Sequence, residues 1–200
     1  MRAGSALLLG VLSGLVSLVQ AATLQVNVQD EQGRPVPDAV VFLESREAAR
    51  AARPMDGVEV AQQDRAFVPG VQVVTRGTAV SFPNRDTVRH HVYSFSPAKK
   101  FELKLYIGTP ANPVVFDQAG VVVLGCNIHD EMVGWVLVLD TPYYGRSVAN
   151  GRVVLDAPEG SYRLRVWHSH MPVGTPATNQ ALSLGGGGAT VTVPLKGLVP

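Results

Sequence analysis

The apolar and polar positions of the chain alternate in short runs. In "TLQVNVQ" (23–29), Leu24, Val26 and Val28 alternate with Gln25, Asn27 and Gln29, the two-residue period of a strand covered on one face. "DEQGRPVPDA" (30–39) is a turn cluster, and "VVFLES" (40–45) predicts a second short strand. The Ala-rich stretch "SREAARAARPM" (45–55), ended by Pro54, predicts one helical turn or a plain link. Strands are then predicted near 58–62, 71–75 and 78–82, punctuated by Pro69-Gly70 and Arg76-Gly77, followed by "RHHVYSF" (89–95) and "FELKLYI" (101–107). "GVVVLGC" (120–126) and "MVGWVLVLD" (132–140) are continuous apolar runs, as expected of strands covered on both faces. Beyond the connector "TPYYGRSVANG" (141–151), "RVVLDAPEGSYRLRVWHSH" (152–170) predicts two strands around an Ala-Pro-Glu-Gly turn. In the second of these, Tyr162, Leu164 and Val166 share one face and Arg163 and Arg165 the other. A glycine run and a last strand, "LGGGGATVTVPL" (184–195), close the chain, and no amphipathic helix of useful length interrupts it. The class is all-β, as one sandwich or two.

Composition changes the picture at the N-terminus. Arg2, an apolar stretch from Ala6 to Val19 and the small-residue pattern ending at Ala21 have the layout of an export signal, residues 1–21, cleaved after Ala21. The stretch is short for a membrane span and is broken by Gly10, Ser13, Gly14 and Ser17. The expected location is therefore the periplasm, with no membrane span. Loss of Arg2 with the signal leaves 16 basic against 16 acidic side chains, formally neutral. No basic stripe argues for nucleic acid as a partner.

Export makes the single cysteine informative. In an oxidising compartment a lone Cys126 forms no intramolecular disulfide and needs burial or a metal for protection. It lies in "LGCNIHDEM" (124–132), where Cys126, His129 and Met132 are spaced C-x2-H-x2-M, and "FPNRDTVRHHVYSF" upstream supplies His90 and His91. A thiolate, two imidazoles and a weak thioether form the ligand set of blue-copper electron-transfer sites. A nucleophilic role would need a base and an orienting group, and no such Cys/His/Asn pattern is present. The expected protein is not an enzyme.

These two stretches make residues 56–140 resemble a cupredoxin of the plastocyanin and amicyanin type. The resemblance implies a Greek-key copper-binding sandwich with one copper ion. It places the first ligand four residues after Asp86, at His90, and implies Cys126 as thiolate, His129 as second imidazole and Met132 as axial ligand. Two departures stand out. His91 occupies a position where the family commonly has Asn; it is either a tether to the ligand loop or an alternative ligand to His90. Asp130 and Glu131 make the loop acidic, and Glu131 is an alternative axial ligand to Met132. A second copper-friendly cluster, His168, His170 and Met171, lies in "HSHM" (168–171).

The flanks, 22–48 and 141–200, are similar to the opening and ending of carboxypeptidase-regulatory-like, transthyretin-like β-sandwich domains. A 27-residue segment with two strands buries too little to stand alone. The expected arrangement is the copper unit inserted in, or packed beside, a second small sandwich formed by both flanks. The expected function is single-electron transfer in the periplasm with a redox protein partner, a c-type cytochrome or a dehydrogenase. The alternatives are copper binding and delivery without redox work, or a structural sandwich with a vestigial site.

Overall fold

A computed structural model describes residues 21–199, so the export-signal reading of 1–21 lies outside the described residues except for Ala21. The chain begins with β1 (Ala21–Gln29) and β2 (Val40–Glu44), then a short helix, α1 (Arg46–Ala51). Ser45 caps that helix, its Oγ accepting the Ala48 N–H at 3.0 Å, which resolves the choice between a helical turn and a plain link. Ten strands follow. They are β3 (Val58–Glu59), β4 (Ala61–Gln63), β5 (Ala66–Val68), β6 (Val71–Thr75), β7 (Thr78–Ser81), β8 (His90–Ser96), β9 (Lys99–Tyr106), β10 (Val114–Phe116), β11 (Gly120–Cys126) and β12 (Val133–Leu139). The chain ends with β13 (Tyr144–Arg146), β14 (Arg152–Pro158), β15 (Gly160–Trp167), β16 (Gln180–Leu184) and β17 (Ala189–Pro194). The all-β class is borne out.

The strands form four main sheets and the small β4–β5 hairpin. β1 lies between β14 and β17, and β2 between β13 and β15, with β16 on the far side of β15. These two sheets enclose a core of Leu24, Val26, Val28, Val41, Leu43, Val153, Leu155, Leu164 and Val166 with their neighbours. Early and late parts of the chain thus share one apolar interior. On β15 the expected alternation holds: Tyr162, Leu164 and Val166 enter that core, while Arg163 and Arg165 turn out to Glu44 at 3.0 and 3.4 Å.

The other pair of sheets runs β10-β7-β3 and β6-β12-β11-β8-β9. Between them Val80, Phe82, Val92, Phe116, Leu124, Cys126, Met132, Val136 and Val138 are buried together. Burial of such aliphatic and aromatic side chains supplies roughly 1.5–3 kcal/mol each.

A third apolar cluster joins the two pairs. Val40 and Phe42 of β2, Leu137 and Leu139 of β12, Val73 of β6, Trp167 and Met171 pack together. Residues of one strand therefore serve two interiors. On β12, Val136 and Val138 face one core while Leu137 and Leu139 face the junction; on β2, Val41 and Leu43 oppose Val40 and Phe42 in the same way. This is why both strands read as unbroken apolar runs.

Candidate metal centre

Strand pairing assembles the site. Cys126, the last residue of β11, pairs with Val92 of β8, and Gly125 pairs with Tyr93. His90 lies two residues before Val92 and so shares its inward face, at the start of β8 where it meets Tyr106. The β11–β12 turn then carries His129 back toward Cys126, closed by the Met132 N–H donating to the His129 carbonyl at 2.9 Å.

The three side chains converge. Cys126 Sγ lies 3.9 Å from His90 Nδ1 and 3.8 Å from His129 Nδ1, and the imidazole centroids are 5.1 Å apart, inclined at 57°. Their donor atoms all fall within 4.8 Å of one another, the one such group of His, Cys, Asp and Glu among the described residues. His90 is wholly buried and Cys126 3 % exposed, while His129 is half-buried at the surface. Met132, 1 % exposed, packs in the same core cluster as Cys126. A soft sulfur with two imidazole nitrogens is a donor set suited to copper.

The remaining candidates are placed as follows. Glu131 and Asp130 are exposed and outside the group. His91 is buried, but its Nε2 lies 3.0 Å from Glu102 Oε1 without hydrogen-bond alignment, and its ring meets Tyr93 edge-on at 5.9 Å. No hydrogen bond ties it to the β11–β12 turn, and it lies outside the converging group. His168 and His170 stack edge-to-face at 4.9 Å, yet the His170 N–H donates to His168 Nδ1 at 3.1 Å, and the His168 N–H donates to Met171 Sδ at 3.4 Å. His168 Nδ1 and Met171 Sδ thus accept from the local turn, and Met171 is buried in the junction cluster.

Two groups around the site were not read as functional in the sequence. Asp86 served only to set the register of His90; in the structure its Oδ2 lies 2.7 Å from His90 Nε2. Burial works to raise its pKa, but hydrogen bonds from the Arg65 and Asp64 backbone and from His90 outweigh it and hold the carboxyl below the usual range. The Tyr106 hydroxyl lies 2.5 Å from Gln62 Oε1 and 2.7 Å from the Phe82 carbonyl oxygen, with one proton to share between these two acceptors, and burial pushes its pKa well up. No periodicity marks either one.

No protein-family model matches the chain, and no curated protein matches it. Among solved structures it is similar to a purple cupredoxin from Nitrosopumilus maritimus, at 22 % identity over 41 % of this chain and 99 % of that one, with a TM-score of 0.37. It is similar to a Cu(I) form of an amicyanin variant, at 22 % identity over 50 % of this chain and 98 % of that one, with a TM-score of 0.38. A Cu-containing nitrite reductase from Thermus scotoductus matches at 23 % identity over 46 % of this chain and 26 % of that enzyme, with a TM-score of 0.39. Each likeness covers about half of this chain.

Proposed function

We propose that this protein is a periplasmic blue-copper carrier of single electrons. His90, Cys126 and His129 are the equatorial ligands and Met132 the axial one. The observation that carries this reading is the convergence of the lone thiol with two imidazole Nδ1 atoms at the rim of a buried core. Copper bound there would cycle between Cu(I) and Cu(II), one electron at a time. The protein's part is to hold the donors still. Cys126 and His90 sit on paired strands inside a packed core, and tight packing resists rearrangement when the charge at the site changes.

His129, half-buried, is the edge through which the electron leaves. Exposed apolar side chains lie at that end of the sandwich: Ile128 in the loop, Val133 just after it, Val88 just before β8 and Ile107 just after β9. Such a patch fits brief docking of a redox protein, a c-type cytochrome or a dehydrogenase. Met132 is buried and takes no part in the surface. The unit formed by residues 22–48 and 141–200 holds the copper unit from behind and does no chemistry.

The deciding experiment adds one equivalent of Cu(II) to residues 22–200. An intense thiolate-to-copper charge-transfer band with narrow copper hyperfine splitting supports the reading, and Cys126→Ser should abolish the band. A pale protein with ordinary type-2 copper signals, or no bound metal, would overturn it.

A further inference from the structure

The Asp86 carboxylate is the centre of a small polar cluster that reaches from the site to a distant turn. Its Oδ1 accepts the backbone N–H of Asp64 at 2.7 Å; its Oδ2 accepts that of Arg65 at 3.0 Å and faces His90 Nε2 at 2.7 Å. Asp64 and Arg65 are the two residues between β4 and β5, both in the left-handed region with φ of 54° and 58°. That is the turn conformation usually filled by Asn-Gly, and it points successive N–H groups to one side as an anion cradle.

The hairpin behind this tip is firmly seated. Phe67 of β5 is buried against β12, so close that a Cβ on Gly134 would fall 2.9 Å from Phe67 Cβ. Gln62 of β4 is wholly buried; its N–H donates to the Pro83 carbonyl, and its carbonyl accepts the Arg85 N–H, both at 2.9 Å. The segment bearing Asp86 is held too. Asn84 accepts the Asp86 N–H at 3.0 Å and donates to the Val88 and Tyr106 carbonyls at 2.9 and 2.8 Å.

The contact with Asp86 selects one tautomer of the neutral His90 ring. An ionised carboxylate only accepts, so the proton between Asp86 and His90 belongs to Nε2. A neutral imidazole protonated at Nε2 has its free lone pair on Nδ1, the atom that lies 3.9 Å from Cys126 Sγ. We infer that the β4–β5 hairpin tip is a positioning element of the metal centre: its two N–H groups fix Asp86, and Asp86 fixes the tautomer and orientation of His90. The inference rests on the copper reading only where it concerns metal affinity and potential; the tautomer is a property of the metal-free protein.

The test uses residues 22–200, first without metal. In the imidazole ¹H–¹⁵N spectrum, His90 should be the Nε2–H tautomer with a slowly exchanging proton. Asp86→Ala should speed that exchange, whereas replacing Asp64-Arg65 by Asn-Gly, which keeps both N–H groups, should leave it unchanged. Inserting two glycines between Asp64 and Arg65 should act like Asp86→Ala. With copper, Asp86→Ala should weaken binding about 10–100-fold, the usual cost of losing such a partner. Asp86→Asn, which retains an acceptor but removes the charge, should raise the reduction potential. An Nδ1–H tautomer in the wild type, or variants with unchanged exchange, affinity and potential, would overturn the proposal. If the wild type binds no copper, the copper reading falls, and the tautomer and exchange data still decide the hairpin's role.

Discussion

Cys126 is chemically ordinary until its neighbours are counted. Alone it is a small buried side chain; with His90 and His129 within 4 Å of its sulfur it is a donor in a set of three. Its neighbours in the loop have different fates: Met132 turns into the core and Glu131 stays in solvent. Glu131→Gln is therefore expected to leave the copper spectrum unchanged. Met132→Leu conserves volume, should cost under about 1.5 kcal/mol, and should raise the reduction potential in voltammetry by removing the sulfur. His168 supplies a prediction of another kind. Burial, first, and then the nearby His170 push its pKa below the usual value, against a hydrogen bond to the Pro37 carbonyl and the charge of Asp38. The folded protein thus binds the proton less readily than the unfolded chain. The stability this contributes is complete above pH 6.5, the ordinary histidine value, and is lost as pH falls below it. Urea midpoints measured from pH 8 to 5 should decline, and the decline should be shallower in His168→Gln.

At the scale of elements, the strands with a clear two-residue period or a long apolar run were legible: β1, β2, β6, β7, β8, β9, β11, β12, β14, β15 and β17. Those that escaped are β5, β10 and β13, with three residues each, and β16, "QALSL", whose exposed face carries little apolar signal. Such edge pieces owe their conformation to the strand beside them, not to a pattern of their own. The strand expected near 58–62 is found as β3 and β4, but the hairpin that β4 makes with β5 escaped, since a tip of Asp-Arg gives no turn signal. Its contact with β12 can be tested. Gly134→Ala would place a methyl 2.9 Å from Phe67 Cβ and is expected to cost about 1–3 kcal/mol in urea unfolding by overpacking.

The whole molecule is two pairs of sheets joined back to back. Both tryptophans, Trp135 and Trp167, flank or enter the junction, so intrinsic fluorescence reports on it directly. Phe42 is buried there, with the Arg165 guanidinium 5.7 Å from its ring centroid. Phe42→Ala should cost about 3–5 kcal/mol, and the pair of sheets that bears Cys126 should loosen with it if the two pairs unfold together. Calorimetry checks this: a single transition in the wild type that splits in the variant is the expected result. Trypsin cleavage between Arg46 and Arg53 tests the proposed division of the chain. The fragment on the N-terminal side of the cut should stay bound, because β1 and β2 are each paired on both sides by strands from beyond residue 140.

By itself the sequence determined the all-β class, because period-two alternation and turn residues are local signals. It also singled out the thiol and imidazoles that the fold brings together, because a lone thiol three residues from a histidine is chemically distinctive at any fold. Tertiary structure decided the rest. Strand register chose which histidine meets the thiol, since neighbours on β8 face opposite ways and only His90 turns inward. Long-range packing decided that β2 and β12 are covered on both faces by two different interiors. Most of all, folding carried the Asp64-Arg65 turn to Asp86, more than twenty residues away, where two backbone N–H groups meet a carboxylate. Backbone donors carry no mark of residue type, so no reading of side chains along the chain would have found them.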